Sequence, residues 1–224
     1  ESISLGDMSS VTAMTNMFRG CTSLESVSLG DMSSVTGMTN MFYSCTSLKS
    51  VSLGDMSSVI GMSSMFYRCT SLESISLGDM SSVTVMSFMF GRCTSLKSVS
   101  LGDMSSVTYM VNMFNGCTSL KSVSLGDVSS VTHVMNMFNG CTNLEYMDLS
   151  GGDINKIKDI LHLAEVSTIH TLILNNCTMD SITVTLDLEN YDDLVYIDLR
   201  NTTLLGTLTI ETNSAGAVIK VLTS

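Results

Sequence analysis

The side chains best suited to chemistry in this chain are its cysteines and aspartates, and both recur with a fixed spacing. Cys21, Cys45, Cys69, Cys93, Cys117 and Cys141 follow one another at a constant interval, with Cys177 the seventh. Zinc needs thiolates converging on one point from spacings such as C-x-x-C, whereas one thiol per interval makes a line. If each interval is one rung of a stack, neighbouring Cα atoms fall within disulfide range, yet parallel side-chain directions oppose the disulfide torsion. The column therefore reads as buried free thiols acting as small apolar groups. Asp7, Asp31, Asp55, Asp79, Asp103 and Asp127 repeat at the same interval. One carboxylate per rung supplies too few oxygens for calcium, so the expected role is a turn cap, accepting N–H bonds from the Met-Ser-Ser that follows. His133, His162 and His170 have no partner Cys, Ser or carboxylate motif, and no H-E-x-x-H, phosphate-cradling loop or dinucleotide fingerprint occurs. The expectation is a non-enzymatic chain with no catalytic residues, no metal site and no cofactor.

What positions these columns is a repeated unit, C-T-S-L-x-S-V-S-L-G-D-M-S-S-V-T-x-M-x-x-M-F-x-x. A unit this short cannot bury its own apolar face, so successive units must stack into one continuous core. Leu24, Val27 and Leu29 give the LxxLxL spacing of leucine-rich repeats, with Val27 and Leu29 inward and Ser26 and Ser28 outward. Gly30-Asp31 supplies a turn, and Val35, Met38, Met41 and Phe42 then share one face of a short helix or 3-10 turn. Nine positions per unit are apolar in step: Leu48, Val51, Leu53, Met56, Val59, Met62, Met65, Phe66 and Cys69 in one copy. The methionines read as flexible core filler.

Beyond residue 142 the copies diverge but keep a 25-residue beat at Leu144, Ile169, Leu194 and Ile219. Ile169 to Met179 fits the wider leucine-rich signature LxxLxLxxN/CxL, and Asp153 can cap an amphipathic helix carrying Ile154, Ile157, Ile160 and Leu161. The predicted fold is an α/β solenoid, a right-handed leucine-rich-repeat superhelix of about ten parallel strands. Those strands start at residues 2, 24, 48, 72, 96, 120, 144, 169, 194 and 219, with short helices or 3-10 turns on the return side. One solenoid spans 1–224, regular over 1–149 and divergent over 150–224. Glu1-Ser2-Ile3-Ser4-Leu5 already resembles the second half of a unit, so both ends are expected to be cut from a longer array, and a missing leader carries no information.

The net charge of −11 is shared by both regions, with six Lys and Arg against eleven acids in residues 1–150 and four against ten in 151–224. Long-range repulsion disfavours nucleic acid and anionic membrane as partners. No apolar run approaches the length needed to cross a bilayer, so no membrane insertion is expected.

The string V-T-x-M-x-x-M-F-x-x-C-T-S-L-x-S-V-S-L, as in Val35 to Leu53, resembles the BspA-like surface-protein repeats of bacteria, mycoplasmas and some parasitic protists. The resemblance covers about residues 1–149. It implies a cell-surface or secreted leucine-rich-repeat protein, often adhesive toward host proteins or other cells, and brings no catalytic residues.

Glu25, Lys49, Glu73, Lys97, Lys121 and Glu145 form a column on the strand face with mostly opposite signs adjacent, and two serine columns flank it. The most informative positions are those where near-identical units disagree. One column reads Ala13, Gly37, Gly61, Val85, Tyr109, His133. Two others read Thr15, Thr39, Ser63, Ser87, Val111, Met135 and Asn16, Asn40, Ser64, Phe88, Asn112, Asn136. From Val85 onward they turn apolar and aromatic, which makes Val85, Phe88, Tyr109, Val111, His133 and Met135 the candidate partner-binding residues. The leading expectation is an extracellular or cell-surface recognition or adhesion module. It would bind a protein or glycan on another cell or assembly, with self-association in a larger assembly also open. The alternative is a structural spacer or fibre element with no dedicated ligand.

Overall fold

A computed structural model describes residues 1–77, 79–164, 168–180, 183–212 and 220–223. In chain order the elements are β1 (Ser2–Leu5), β2 (Ser26–Leu29), β3 (Ser50–Ser52), β4 (Ser74–Ser76), β5 (Ser98–Ser100), β6 (Ser122–Ser124), β7 (Tyr146–Asp148), α1 (Ile154–Ala164), β8 (Thr171–Ile173), β9 (Thr178–Met179), β10 (Thr183–Leu188), β11 (Tyr196–Asp198), β12 (Thr203–Leu204), β13 (Thr207–Thr212) and β14 (Lys220–Leu222). Ten of these strands stack in parallel, as β1-β2-β3 and as β4-β5-β6-β7-β8-β11-β14. The pairs β10-β13 and β9-β12 form two small sheets beside them. Identical or closely similar residues pair across the rungs, as in Ser74↔Ser98 and Ile75↔Val99, because each coil repeats its sequence at the same place.

From β2 to β8, and again at β11, each strand of the stack begins two residues later than the sequence pattern predicts. Leu24, Leu48 and Leu72 sit in the turn before the strand, where Leu48 N–H bonds to the Cys45 carbonyl at 3.1 Å. All three point into the core. Ile219 lies outside the described residues.

The return pass takes the second of the two forms expected for it. In coils one to six it holds no helix and is a run of tight turns closed by 3-10-type bonds, with Val35 N–H bonding to Met32 O (2.8 Å), Met41 to Met38 (3.2 Å) and Cys45 to Phe42 (3.0 Å). The intervening N–H groups reach the next coil, Met38 to Gly61 O, Asn40 to Ser63 O, Phe42 to Met65 O and Ser44 to Tyr67 O. A helix would spend those donors within itself. Single-residue bridges run Ala13↔Gly37↔Gly61↔Val85↔Tyr109↔His133 and tie the coils together even where the strand ladder breaks between β3 and β4. Among the described residues α1 is the one helix. Asp153 Oδ1 caps it by accepting the Asn155 N–H at 2.9 Å, and Ile154, Ile157, Ile160 and Leu161 are buried.

The interior is one apolar spine. Six phenylalanines, Phe18, Phe42, Phe66, Phe90, Phe114 and Phe138, stack rung on rung at 5.4–5.6 Å with planes within 9°. Of the nine apolar positions singled out in one coil, Val51 and Leu53 are half-buried and the other seven are fully enclosed. At the end of the strand the coils approach so closely that a Cβ on Gly30 would lie 2.1 Å from the Gly6 carbonyl oxygen. On Gly54 it would lie 1.9 Å from that of Gly30, so only glycine fits at these two positions.

Candidate recognition surface

The six predicted partner-binding residues fall on the outer side of the return pass, on neighbouring coils. Val85, Tyr109 and His133 occupy one bridge column. The Tyr109 ring stacks on the His133 imidazole at 4.2 Å, and Thr132 Oγ1 lies 2.8 Å from His133 Nδ1. Val111 and Met135 share a second column, and Phe88 stands in a third, its N–H bonded to the Val111 carbonyl. Met135 is 62% exposed, Tyr109 42% and Phe88 40%, while Val85 and Val111 are half-buried.

Phe88 is the unusual member. Its column turns the chain with a left-handed residue in every coil, supplied by Asn16, Asn40, Ser64, Asn112 and Asn136 at φ 54–60°. Asparagine tolerates that region, whereas a bulky aromatic does so at a cost. Phe88 holds φ 58° with a large exposed ring, and its one ring contact is an edge-on approach to Tyr67 at 6.3 Å. Backbone strain that the core does not repay is characteristic of a functional surface.

Tyr67 brings in residues that the sequence pattern did not single out. Arg19, Tyr43, Tyr67 and Gly91 form the adjoining column. Tyr43 and Tyr67 stack at 5.0 Å, the Arg19 guanidinium sits 4.6 Å from the Tyr43 ring centre, and that of Arg68 lies 5.7 Å from the Tyr67 ring centre. Tyr67 then folds over the next coil, where a Cβ on Gly91 would meet its ring at 2.8 Å. The signal was available, since this column and its neighbour (Gly20, Ser44, Arg68, Arg92, Gly116, Gly140) also differ from copy to copy.

The remaining columns are structural. Every aspartate of the turn column accepts a backbone N–H from the serine two residues on, at 2.8–2.9 Å from Asp7 to Asp127. Hydrogen bonds from Ser9, Ser57 and Ser105 hold Asp7, Asp55 and Asp103 below the usual carboxylate value. On the strand face Lys49 pairs with Glu25, Lys97 with Glu73 and Lys121 with Glu145. The thiols of Cys45, Cys69, Cys93, Cys117 and Cys141 each donate to a phenylalanine carbonyl of the preceding coil. Burial raises Cys45 and Cys177 to about 11 and Cys141 to about 12, and pushes Cys69, Cys93 and Cys117 up as well. None of these six is a thiolate at neutral pH, which removes them as nucleophiles. Cys21, in the first coil, is exposed. His162 lines a cleft with Val131, Val134, Lys156, Asp159 and Ile160, at the junction between coil six and α1.

The BspA-type leucine-rich-repeat model matches six copies over residues 62–203, well over half of the chain. The chain belongs to the BspA-type leucine-rich-repeat family. Residues 1–102 also match the family described as Mycoplasma protein of unknown function, DUF285. Among solved structures, this BspA-type chain is similar to a leucine-rich cell surface protein of Faecalibacterium prausnitzii, at 20% identity and a TM-score of 0.53. That match covers 92% of the chain but only 56% of the Faecalibacterium protein, and it shows a shared fold. A T. pallidum leucine-rich-repeat protein is 28% identical over 67% of each chain, with a TM-score of 0.47. One from Bacteroides ovatus is 17% identical over 92% of this chain and 67% of its own, with a TM-score of 0.43. No curated protein matches the chain.

Proposed function

We propose that this BspA-type chain is a non-enzymatic recognition module of a cell-surface or secreted protein, which uses the outer return face to adhere to a protein or glycan of another cell or assembly. The observation that carries this reading is Phe88, an exposed aromatic in a left-handed position that every other regular coil fills with asparagine or serine. Around it lie Tyr109, His133 and Met135, side chains of the kind enriched where proteins meet partners. The rigid stack supports the same reading, because ordered rungs present these groups at little entropic cost. Leucine-rich-repeat proteins are in general scaffolds without enzymatic activity, and the Faecalibacterium protein is described as a cell surface protein. Among the described residues no helix is long and apolar enough to cross a membrane.

The test is an array of extracellular-matrix proteins and glycans probed with the wild type and with Phe88→Ser/Tyr109→Ser. Binding to one class of ligand, lost in the double variant at unchanged thermal stability, supports the proposal, and equal signals from both chains reject the ridge. The near-identity of the six regular coils favours a second reading, a spacer or fibre element. End-to-end arrays in electron micrographs, together with no ligand on the array, would decide for it.

A further inference from the structure

The charges of the regular coils are segregated. All eleven carboxylates of residues 1–149 belong to β7, to the strand-face column or to the turn column after it: Glu1, Glu25, Glu73, Glu145 and Asp148, and the six aspartates from Asp7 to Asp127. From the methionine or valine after each turn to the leucine before the next strand, no coil carries a carboxylate or a lysine. The full charges there are Arg19, Arg68 and Arg92. The three lysines of these coils each have a glutamate partner on the strand face, whereas among the described residues none of the three arginines forms a salt bridge. Within the return pass of the regular coils every full charge is therefore positive. Charges more than about 8 Å apart are screened at physiological ionic strength, which weakens the long-range repulsion that the acidic chain as a whole would exert on an anion at these arginines.

The neighbours of these arginines say what kind of anion fits. Tyr43 and Tyr67 hold the guanidinium groups of Arg19 and Arg68 by ring contact, which limits their freedom while the planar donors remain able to fork onto a carboxylate or sulfate. The Tyr43 and Tyr67 rings face each other and Arg19, so these two are not free to stack on a ligand, while the acidic balance of the chain disfavours nucleic acid. Backbone N–H groups of the return pass are bonded to the next coil, as in Met62 to Val85 and Arg68 to Gly91, which closes the face to a peptide adding as a strand. What stays open is the three guanidinium groups, hydroxyls such as Ser63, and the exposed rings of Phe88 and Tyr109.

We propose that the return face centred on Arg68 and Arg92, with Arg19 at one end, binds an anionic polysaccharide. Uronate or sulfate groups lie on the arginines, and the C–H surface of the sugar rings packs on Phe88 and Tyr109. This rests on the reading of the return face as the binding face and names its ligand class.

The experiment measures binding of the intact chain to immobilised polygalacturonate, chondroitin sulfate, neutral dextran and poly-L-glutamate across a salt series. Expected is binding to one or both anionic glycans, weakening as salt rises, with no retention on dextran. Arg68→Gln/Arg92→Gln should lower it by at least about tenfold, since charge-assisted hydrogen bonds are lost. Lysine at both positions should restore only part of it. Arg68→Gly/Arg92→Gly guards against misfolding, because Gly20, Gly116 and Gly140 fill that column. Equal binding to poly-L-glutamate would assign the face to acidic polypeptides and overturn the glycan proposal, as would glycan binding untouched by the arginine changes. Failure on all four polymers would also overturn it. A ligand found on the array and lost in Phe88→Ser/Tyr109→Ser would then still leave the recognition reading standing.

Discussion

The regular coils of residues 1–149 and the divergent stretch that follows solve the same packing problem in different ways. In the regular region each side chain meets its own copy one rung away, so the core is a file of stacked phenylalanines flanked by columns of methionine, leucine and cysteine. In the divergent region like no longer meets like. The helix α1 replaces the run of turns, Tyr191 reaches across to donate its hydroxyl to the Leu161 carbonyl at 2.8 Å, and β10 pairs with β13 beside the main sheet. Charge follows the same division. Repetition forces equal carboxylates into a column, and each is satisfied by its own turn. Asp198, buried in β11, is instead held by the guanidinium of Arg200 and depressed to about 2, chiefly by that hydrogen bond. The lesson is that near-identical coils gain stability from ladders and confine their large changes to exposed columns, whereas unequal coils need individually matched partners.

The sharpest way to break this comparison is to interrupt the phenylalanine file. Phe90→Ala, at its centre, should cost about 3–5 kcal/mol in urea unfolding, because the coils on both sides lose a ring contact and a cavity opens. A loss below about 1 kcal/mol would show that the file is not what holds the regular coils together. A smaller effect belongs to the matched contacts of the divergent region. Tyr191→Phe should cost about 1 kcal/mol by removing the hydrogen bond that its buried hydroxyl donates to the Leu161 carbonyl. Hydrogen exchange should then quicken in α1 and not in coils one to five, since a solenoid transmits stability mainly to nearest neighbours.

Phe88→Asn sharpens the distinction between core and outer face. It should raise stability by about 1 kcal/mol, as asparagine suits the left-handed backbone better, while weakening ligand capture. A variant that is destabilised would mean that the Tyr67 contact outweighs the strain. Smallest of all, Lys97→Met should change stability by less than about 1 kcal/mol, since its partner Glu73 is exposed and the pair is screened. Added salt should erase even that difference.

Much of this was legible before any coordinates, for a specific reason. A strict repeat period assigns every residue to a column, so the buried methionines, the thiol file and the aspartate caps follow from counting. The return pass followed only as a choice of two forms, because apolar residues at i, i+3 and i+6 satisfy a run of 3-10-type turns as well as they satisfy a helix. What separates the two is the left-handed residue at Asn40 and the export of N–H groups to the next coil. The strands β10 and β13 left a trace in the alternation of Thr183 to Leu188 and Thr207 to Thr212, offset by the same interval that separates the regular cysteines. It was hidden beneath the slightly longer beat of the leucine positions. Phe88, Tyr109, His133 and Met135 could be found as disagreements between copies, whereas Arg68 and Arg92, in a column that also varies, took on meaning only from the tyrosines of the adjoining column.

By itself the sequence determined which residues share a column, since periodicity along the chain becomes stacking along the solenoid. Only the tertiary structure decided which columns lie side by side, as with Tyr67 against Phe88 and Arg19 over Tyr43. Those adjacencies depend on how sharply each turn bends the chain. That is set by backbone angles at positions such as Asn40, Ser64 and Phe88, and by hydrogen bonds to the next coil, neither of which a repeat period contains.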